Sequence, residues 1–181
     1  SRLVKTHAEA GHTPVVIAAG RAVRAVAAFG DALRPEVREN LNRLRALGFR
    51  FEILSGDHQI VVDRVASDLG LPSGSARGEQ SPEEKLARIS ELRAIGERVI
   101  MVGDGVNDTA AMAAATVGIA VHGGAEACLR AADVFATRNG LEPVTEAVSG
   151  SRRALAAIRR GIAISLGYNV VGIGLALSGL L

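Results

Sequence analysis

Asp104 and Asp108 stand four residues apart in the run Met101-Val-Gly-Asp-Gly-Val-Asn-Asp108, with Asn107 between them and a glycine on each side of the first carboxylate. Carboxylates on a tight turn are hard oxygen ligands, and Mg²⁺ usually takes one or two of them while keeping its other positions for water and phosphate oxygens. Asn107 brings an amide that can donate to a phosphate oxygen. Gly103 and Gly105 allow turns and close backbone approach that side chains would obstruct. The chemistry indicated is Mg²⁺-assisted handling of a phosphate group. A plainer reading competes: Asp108 could be the N-cap of a helix beginning near Thr109, because Asp is a preferred N-cap residue.

Two further segments bear on the same chemistry. Ser55-Gly56-Asp57 closes the apolar run Phe49 to Leu54 and precedes a helical pattern from Gln59. A hydroxyl and backbone N–H groups at a helix start favour an anion, although the same tripeptide also serves as an ordinary capping turn. His58, next along, is expected at the surface. Lys85 is one of two lysines, the other 19 basic residues being Arg. A compact ammonium can neutralise a phosphoryl group as a point charge. The alternative is a solvent-facing residue paired with Glu83 or Glu84 on its own helix.

Alternating strands and helices must position these side chains. Thr13 to Ala19 and Ala22 to Phe29 are β-rich runs separated by Gly20-Arg21, as in a hairpin. Pro35, the spacing of Val37, Leu41, Leu44 and Leu47, and the stop at Gly48 define an amphipathic helix. Phe49 to Leu54 reads as a strand, Gln59 to Leu69 as a helix ended by Gly70 and Pro72, and Pro82 to Ile95 as a helix ended by Gly96. Val99 to Val102 is an apolar strand leading into the acidic turn. Val117 to Val121 and Val134 to Ala136 are short strands around a helical stretch, Ala125 to Ala132, that contains the single cysteine, Cys128. This alternation predicts an α/β fold with a doubly wound parallel sheet. Cys128 reads as structural, and His7, His12 and His122 lack metal-ligand spacing.

The segment MVGDGVND closely resembles the signature of P-type ATPases, cation pumps whose phosphorylation domain belongs to the haloacid dehalogenase (HAD) superfamily. Three other segments fall in that family's order. Gly30-Asp-Ala-Leu-Arg-Pro-Glu36 resembles the return into the phosphorylation domain after the nucleotide-binding insert, Ser55-Gly56-Asp57 the family's T-G-D, and Ser81-Pro-Glu-Glu-Lys85 its P-x-x-K segment. The resemblance covers Gly11 to Leu181 and implies a HAD-like Rossmannoid sheet, incomplete here, with ATP and Mg²⁺ as cofactors. It implies that Asp104 holds Mg²⁺ with support from Asp108 beside Gly105. Ser55, Gly56, Asp57, Lys85 and Asn107 would stabilise the transferred phosphoryl group. The family forms an aspartyl phosphate on the Asp of D-K-T-G-T, and that motif does not occur in these 181 residues. Asp133-Val-Phe-Ala-Thr137 shares only its first and last positions and is rejected as the nucleophile. Other departures are Ser55 for the usual Thr, His58 where Asn is frequent, and Thr109-Ala-Ala-Met112 where Ala-Pro-Ala-Leu is usual.

Beyond Ser149-Gly150 the chain changes character. Arg152, Arg153, Arg159 and Arg160 precede Gly161 to Leu181, a run without a charged residue that reaches about 30 Å as a helix. It is expected to cross a membrane, with the arginines marking the cytoplasmic side and its glycines suiting close helix packing; a buried soluble helix is the alternative. Tyr168-Asn169 is its strongly polar pair. Such a pair can serve interhelical hydrogen bonding, and it also resembles the Tyr-Asn signature of copper(I)-transporting P-type ATPases, whereas zinc-type members usually carry a lysine there. Gly174 stands where the copper subgroup commonly has Pro. By resemblance, Tyr168 and Asn169 would meet the transported ion, Cu⁺ being favoured.

Composition limits the other classes. A net charge of +2 and an aromatic content of 3% give a poor nucleic-acid surface, so no nucleic-acid partner is expected. The chain starts at Ser1 without a Met and ends inside an apolar run, as a fragment would. The expected division is 1–30 as the end of a nucleotide-binding domain and hinge, 31–140 as the C-terminal part of the phosphorylation domain, and 141–181 as a linker helix and transmembrane helix. The whole would be a multi-pass membrane pump with a cytoplasmic catalytic domain, in contact with lipid and with the rest of the same pump; the isolated segment would be inactive. Two rivals differ in class: a membrane-anchored HAD-like regulatory module without a nucleophile, and a HAD phosphatase, which is disfavoured because it needs a D-x-D-type nucleophile.

Overall fold

The computed structural model describes residues 4, 6, 13–20, 22–29, 33–104, 106–121 and 130–178. Outside the described residues lie Gly105, Cys128, His7, His12, His122, most of the expected helix Ala125 to Ala132, and the beginning of the Gly30–Glu36 segment. The chain divides into two compact units, Ser1–Pro143 and Val144–Leu181.

In the first unit, β1 (Thr13–Ala19) and β2 (Ala22–Phe29) form the expected antiparallel hairpin, with a register shift between Ile17 and Ala18. Pro35 then opens α1 (Pro35–Ala46), where its missing N–H costs nothing. Gly48 ends the helix at φ 88°, a left-handed conformation that glycine adopts without a Cβ penalty. Leu41 and Leu44 are buried on the face that the apolar spacing defines.

The parallel strands follow in two groups. β3 (Ile53–Leu54) pairs with β4 (Ala76–Arg77), and β5 (Ile100–Gly103) pairs with β6 (Val117–Ala120), which pairs with β7 (Val134–Phe135). The helices between them are α2 (Gln59–Asp68), α3 (Pro82–Ala94) and α4 (Thr109–Ala114), the last preceded by a 3₁₀ turn at Val106–Asp108. The strand expected over Phe49 to Leu54 is shorter than its apolar pattern. Its partner β4 is two residues long, so only Ile53 and Leu54 find a ladder, while Phe49 N–H closes the end of α1 by donating to the Leu44 carbonyl at 3.2 Å. β4 itself, in the polar stretch Ser75–Gln80, carries no apolar run that would announce it.

Three clusters hold these layers. Val62 and Ala66 of α2 pack with Ala76, Ile53 and Leu71. Ile89 of α3 and Ala111 and Ala115 around α4 pack with Leu54, Val99 and Met101. Met112 and Ala120 join Met101 and Ala132. Leu54 of β3 and Met101 of β5 thus share one cluster, although the two strands lie in different hydrogen-bonded sheets. Among the described strands, β3 pairs only with β4 and β5 only with β6, so each keeps one edge without a ladder partner.

The second unit consists of α5 (Glu142–Leu177), 36 residues in one continuous helix that begins just before the unit boundary. It is long and apolar enough to cross a membrane, and its apolar side chains from Leu155 to Leu177 are largely exposed.

Candidate functional site

Lys85 owes its position to the start of α3. Ser81 accepts a hydrogen bond from Glu84 N–H at 3.2 Å, and Glu84 Oε2 accepts from Ser81 N–H at 2.8 Å, a reciprocal capping box with Pro82 at the first helical position. Ile89, four residues beyond Lys85, is 3% exposed in the core, so Lys85 lies on the inward face of the helix. Its Nζ donates to Asp108 Oδ1 at 2.8 Å, with the two side chains only 11% and 12% exposed. Pairing with Glu83 or Glu84 on its own helix is therefore not what the lysine does.

Asp108 sits at the N-cap position of α4 yet makes no side-chain capping bond. Its carboxylate turns to Lys85 instead, so the capping reading is not what the structure shows. Gly103 makes this possible. A Cβ there would lie 2.8 Å from Asp108 Oδ2 and 2.9 Å from Asp108 Cβ, closer than real contacts allow. The acidic turn thus separates its two carboxylates, Asp108 buried and engaged, Asp104 exposed together with Asn107. Among the described residues no three His, Cys, Asp or Glu side chains gather as a metal cluster. Asp104 is the open carboxylate of this turn, and Mg²⁺ is a cation that takes one or two carboxylates and completes its shell with phosphate and water.

The Ser55–Asp57 loop is braced by the segment that leads into α3. Ser55 Oγ donates to Asp57 Oδ2 at 3.0 Å and accepts from Asp57 N–H at 3.2 Å. Gln80 N–H donates to the Ser55 carbonyl at 2.9 Å, and Glu79 N–H donates to the Asp57 carbonyl at 2.6 Å. Gln59 Oε1 accepts from Gly78 N–H at 2.6 Å, while its Nε2 donates to the Ala76 carbonyl at 3.1 Å. Gly78 is required here, since a Cβ would come within 2.7 Å of the Gln59 backbone and the Asp57 carbonyl. His58 is exposed, as expected, and its Nδ1 lies 3.1 Å from Glu79 Oε1. Gln59, Gly78, Glu79 and Gln80 thus support the loop although no sequence signal singled them out. Glu79 adopts φ 54°, the one positive φ of a non-glycine among the described residues.

Glu52 adds a second connection. Arg88, one turn after Lys85, forks onto both oxygens of Glu52 at 2.9 and 3.0 Å, and Arg77 Nε lies 3.0 Å from Glu52 Oε1. These bonds to Glu52 first, and then the bond to Glu91, raise the Arg88 pKa above its ordinary value. Tyr168 and Asn169 lie on α5 in the second unit, Tyr168 78% exposed.

Residues 2–116 match the family model of the haloacid dehalogenase-like hydrolases. The chain belongs to that family. Within it, the structure is similar to that of a zinc-transporting PIB-type ATPase in the E2.Pi state, with a TM-score of 0.84 and 32% identity over 99% of this chain and 29% of that one. In sequence it is 40% identical over 152 residues to nitrogen fixation protein FixI of Rhizobium leguminosarum bv. viciae, covering 84% of this chain and 20% of FixI. It is 35% identical over 170 residues to copper-transporting ATPase 2 of Mus musculus, covering 94% of this chain and 12% of that protein. The chain therefore spans a fifth or less of the length of these curated relatives. The resemblance read from MVGDGVND is met by these similarities, in sequence and in structure, to heavy-metal P-type ATPases. HAD-like P-type ATPase domains generally use Mg²⁺ and ATP.

Proposed function

We propose that this chain supplies the Mg²⁺- and phosphate-stabilising half of the phosphorylation domain in an ATP-driven heavy-metal cation pump, Cu⁺ being the favoured ion. The observation that carries this reading is the buried Lys85–Asp108 pair, 2.8 Å across, set beside the exposed carboxylate of Asp104. Asp104 would hold Mg²⁺, and Asp108 would support it while anchoring Lys85. Bound Mg²⁺ would neutralise phosphate oxygens. Lys85, Asn107, Ser55, Gly56 and Asp57 would orient the transferred phosphoryl group and offset its charge, with Gly105 allowing close backbone approach.

The nucleophilic Asp would come from another segment of the same pump. β3 and β5 pack on one apolar cluster, each with an edge lacking a described partner, and a strand ending in D-K-T-G-T would complete the sheet between them. Residues 1–30 would close the nucleotide-binding domain, 31–140 form the C-terminal part of the phosphorylation domain, and 141–181 link to the membrane and cross it. The whole pump would be multi-pass, with this catalytic region cytoplasmic, and the isolated chain would not turn over ATP. Tyr168 and Asn169, the strongly polar pair in the uncharged run that starts at Gly161, would face the ion path.

The test is phosphorylation of the full-length pump by radiolabelled ATP. Asp104→Ala is expected to abolish the acid-stable phosphoenzyme, and Lys85→Ala to reduce it strongly, with the protein still folded and in the membrane. Phosphoenzyme at the parent level in Asp104→Ala would refute the Mg²⁺ assignment.

A further inference from the structure

The arginines near the start of the apolar run of α5 are not scattered around it. At 3.6 residues per turn, positions 152, 153, 159 and 160 fall within an arc of roughly 120°, and all four side chains are exposed. Flanking that arc, beginning about 40° from Arg159 at 3.6 residues per turn, Leu155, Ile158 and Ile162 form an exposed apolar stripe. No acidic residue follows Glu146 in the sequence. Along the axis the two arginine pairs are about 10 Å apart at 1.5 Å per residue. The inner pair, Arg159 and Arg160, directly adjoins the uncharged run that starts at Gly161.

These dimensions match a lipid headgroup layer. A bilayer of about 40–45 Å has a hydrocarbon core of about 30 Å, which leaves about 5–8 Å of headgroup region per leaflet. With Gly161 at the hydrocarbon boundary, Arg159 and Arg160 lie in that layer, and Arg152 and Arg153 lie just outside it, within reach of long side chains that extend toward the surface. Guanidinium groups fork onto phosphate oxygens. Leu155, Ile158 and Ile162 meanwhile face a direction in which the acyl boundary can receive them.

We propose that this face of α5 is a binding surface for anionic phospholipid headgroups, which gather against Arg153, Arg159 and Arg160 and fix the depth and tilt of the helix. The inference rests on the membrane-spanning reading of α5 given above. Its partner is an acidic lipid, chosen by charge complementarity and by the uncharged run beside the patch. A like-sized neutral phospholipid lacks the net charge that the patch selects.

The test uses the 181-residue chain reconstituted into nanodiscs of mixed phosphatidylcholine and phosphatidylglycerol, with the retained lipids counted by native mass spectrometry. Phosphatidylglycerol is expected to be enriched around the parent chain, by at most about fivefold per arginine. The triple variant R153Q/R159Q/R160Q should return to the bulk ratio, and R153K/R159K/R160K should keep most of the enrichment. Equal retention of the two lipids by the parent chain, or unchanged enrichment in the glutamine variant, would overturn the proposal. Alkaline carbonate extraction from pure phosphatidylcholine vesicles separates this result from the underlying reading. A chain that stays in the membrane without lipid preference defeats the lipid surface alone, whereas a chain that is extracted defeats the spanning helix and the lipid surface with it.

Discussion

Asp108→Asn distinguishes an ion pair from a helix cap with a single change. Asn is as good an N-cap residue as Asp, so if residue 108 served α4 by capping, the substitution would be close to neutral. The structure places the carboxylate elsewhere, 2.8 Å from Lys85 Nζ, with both side chains nearly nine-tenths buried. Asparagine keeps the shape and one oxygen acceptor but leaves the ammonium without a counter-charge in a site that water scarcely reaches. Removing one partner of a buried pair costs about 3–5 kcal/mol. The retained amide acceptor and the residual exposure put this case near the low end, about 3 kcal/mol. Because every 1.4 kcal/mol is about a factor of ten, amide exchange in α3 and α4 should accelerate by about a hundredfold under conditions where global opening limits it. The assay is hydrogen–deuterium exchange with mass spectrometry on the chain in detergent micelles, with denaturant unfolding as a second measure. Lys85→Met and the double variant close a cycle whose coupling should be at least about 2 kcal/mol. A cost below about 0.5 kcal/mol for Asp108→Asn, with no coupling to Lys85, would refute the pairing and restore the capping role.

Two other changes probe the frame around the pair. Gly103→Ala places a Cβ 2.8 Å from Asp108 Oδ2 and 2.9 Å from its Cβ, so the carboxylate must move; a loss of about 1–3 kcal/mol is expected in denaturant unfolding, and a variant as stable as the parent would show that the turn has room to spare. At the start of α3, backbone hydrogen bonding first and then the Ser81 hydroxyl hold the Glu83 carboxyl below its ordinary value of 4.5. A depressed carboxyl contributes stability that is present above the unfolded pKa and lost as the pH falls through the folded one. Acidification from neutral pH to below that ordinary value should therefore loosen the first turn of α3, read as faster amide exchange over Glu83–Leu86. Ser81→Ala should weaken the same turn at neutral pH by about 1 kcal/mol through its lost cap; exchange in that turn insensitive to both changes would count against the capping box.

The residues proposed for phosphate chemistry were legible because they are contiguous. Gly103, Asp104, Asn107 and Asp108 fall within one strand-to-helix turn, and sequence spacing alone places them together. The Lys85–Asp108 bond was not legible, because it joins residues 23 apart and depends on how α3 packs against α4. From the sequence, Lys85 had nearer acidic partners in Glu83 and Glu84; the capping box uses Glu84 instead, and the apolar face that buries Ile89 carries Lys85 inward with it. β4 escaped notice for a related reason. Two residues in a polar loop have no periodicity, and their strand character comes from Ile53 and Leu54 lying alongside. The same partner explains why Phe49 to Glu52 failed to become strand, since a ladder can be no longer than its shorter side.

Ser55 and Lys85 belong to one site only if β3 and α3 keep a fixed relation, and no strand ladder among the described residues runs from β3 to β5 to enforce it. Other contacts take that role. Leu54, the last residue of β3, packs with Ile89 of α3 and Met101 of β5. Glu52, just before β3, receives Arg77 from β4 and both prongs of Arg88 from α3, one turn from Lys85. Beyond the strand, Gln80 N–H holds the Ser55 carbonyl immediately before the Ser81 cap of α3. The helix bearing the ammonium is thus tied to the strand bearing the hydroxyl on both sides of that strand, by a forked ion pair at one end and a backbone bond at the other. Such ties are directional and short, so they fix α3 against β3 while leaving β3 and β5 each with an edge that no described strand pairs. A chain arranged this way would hold the proposed Ser55 and Lys85 groups in a fixed relation without a ladder between β3 and β5.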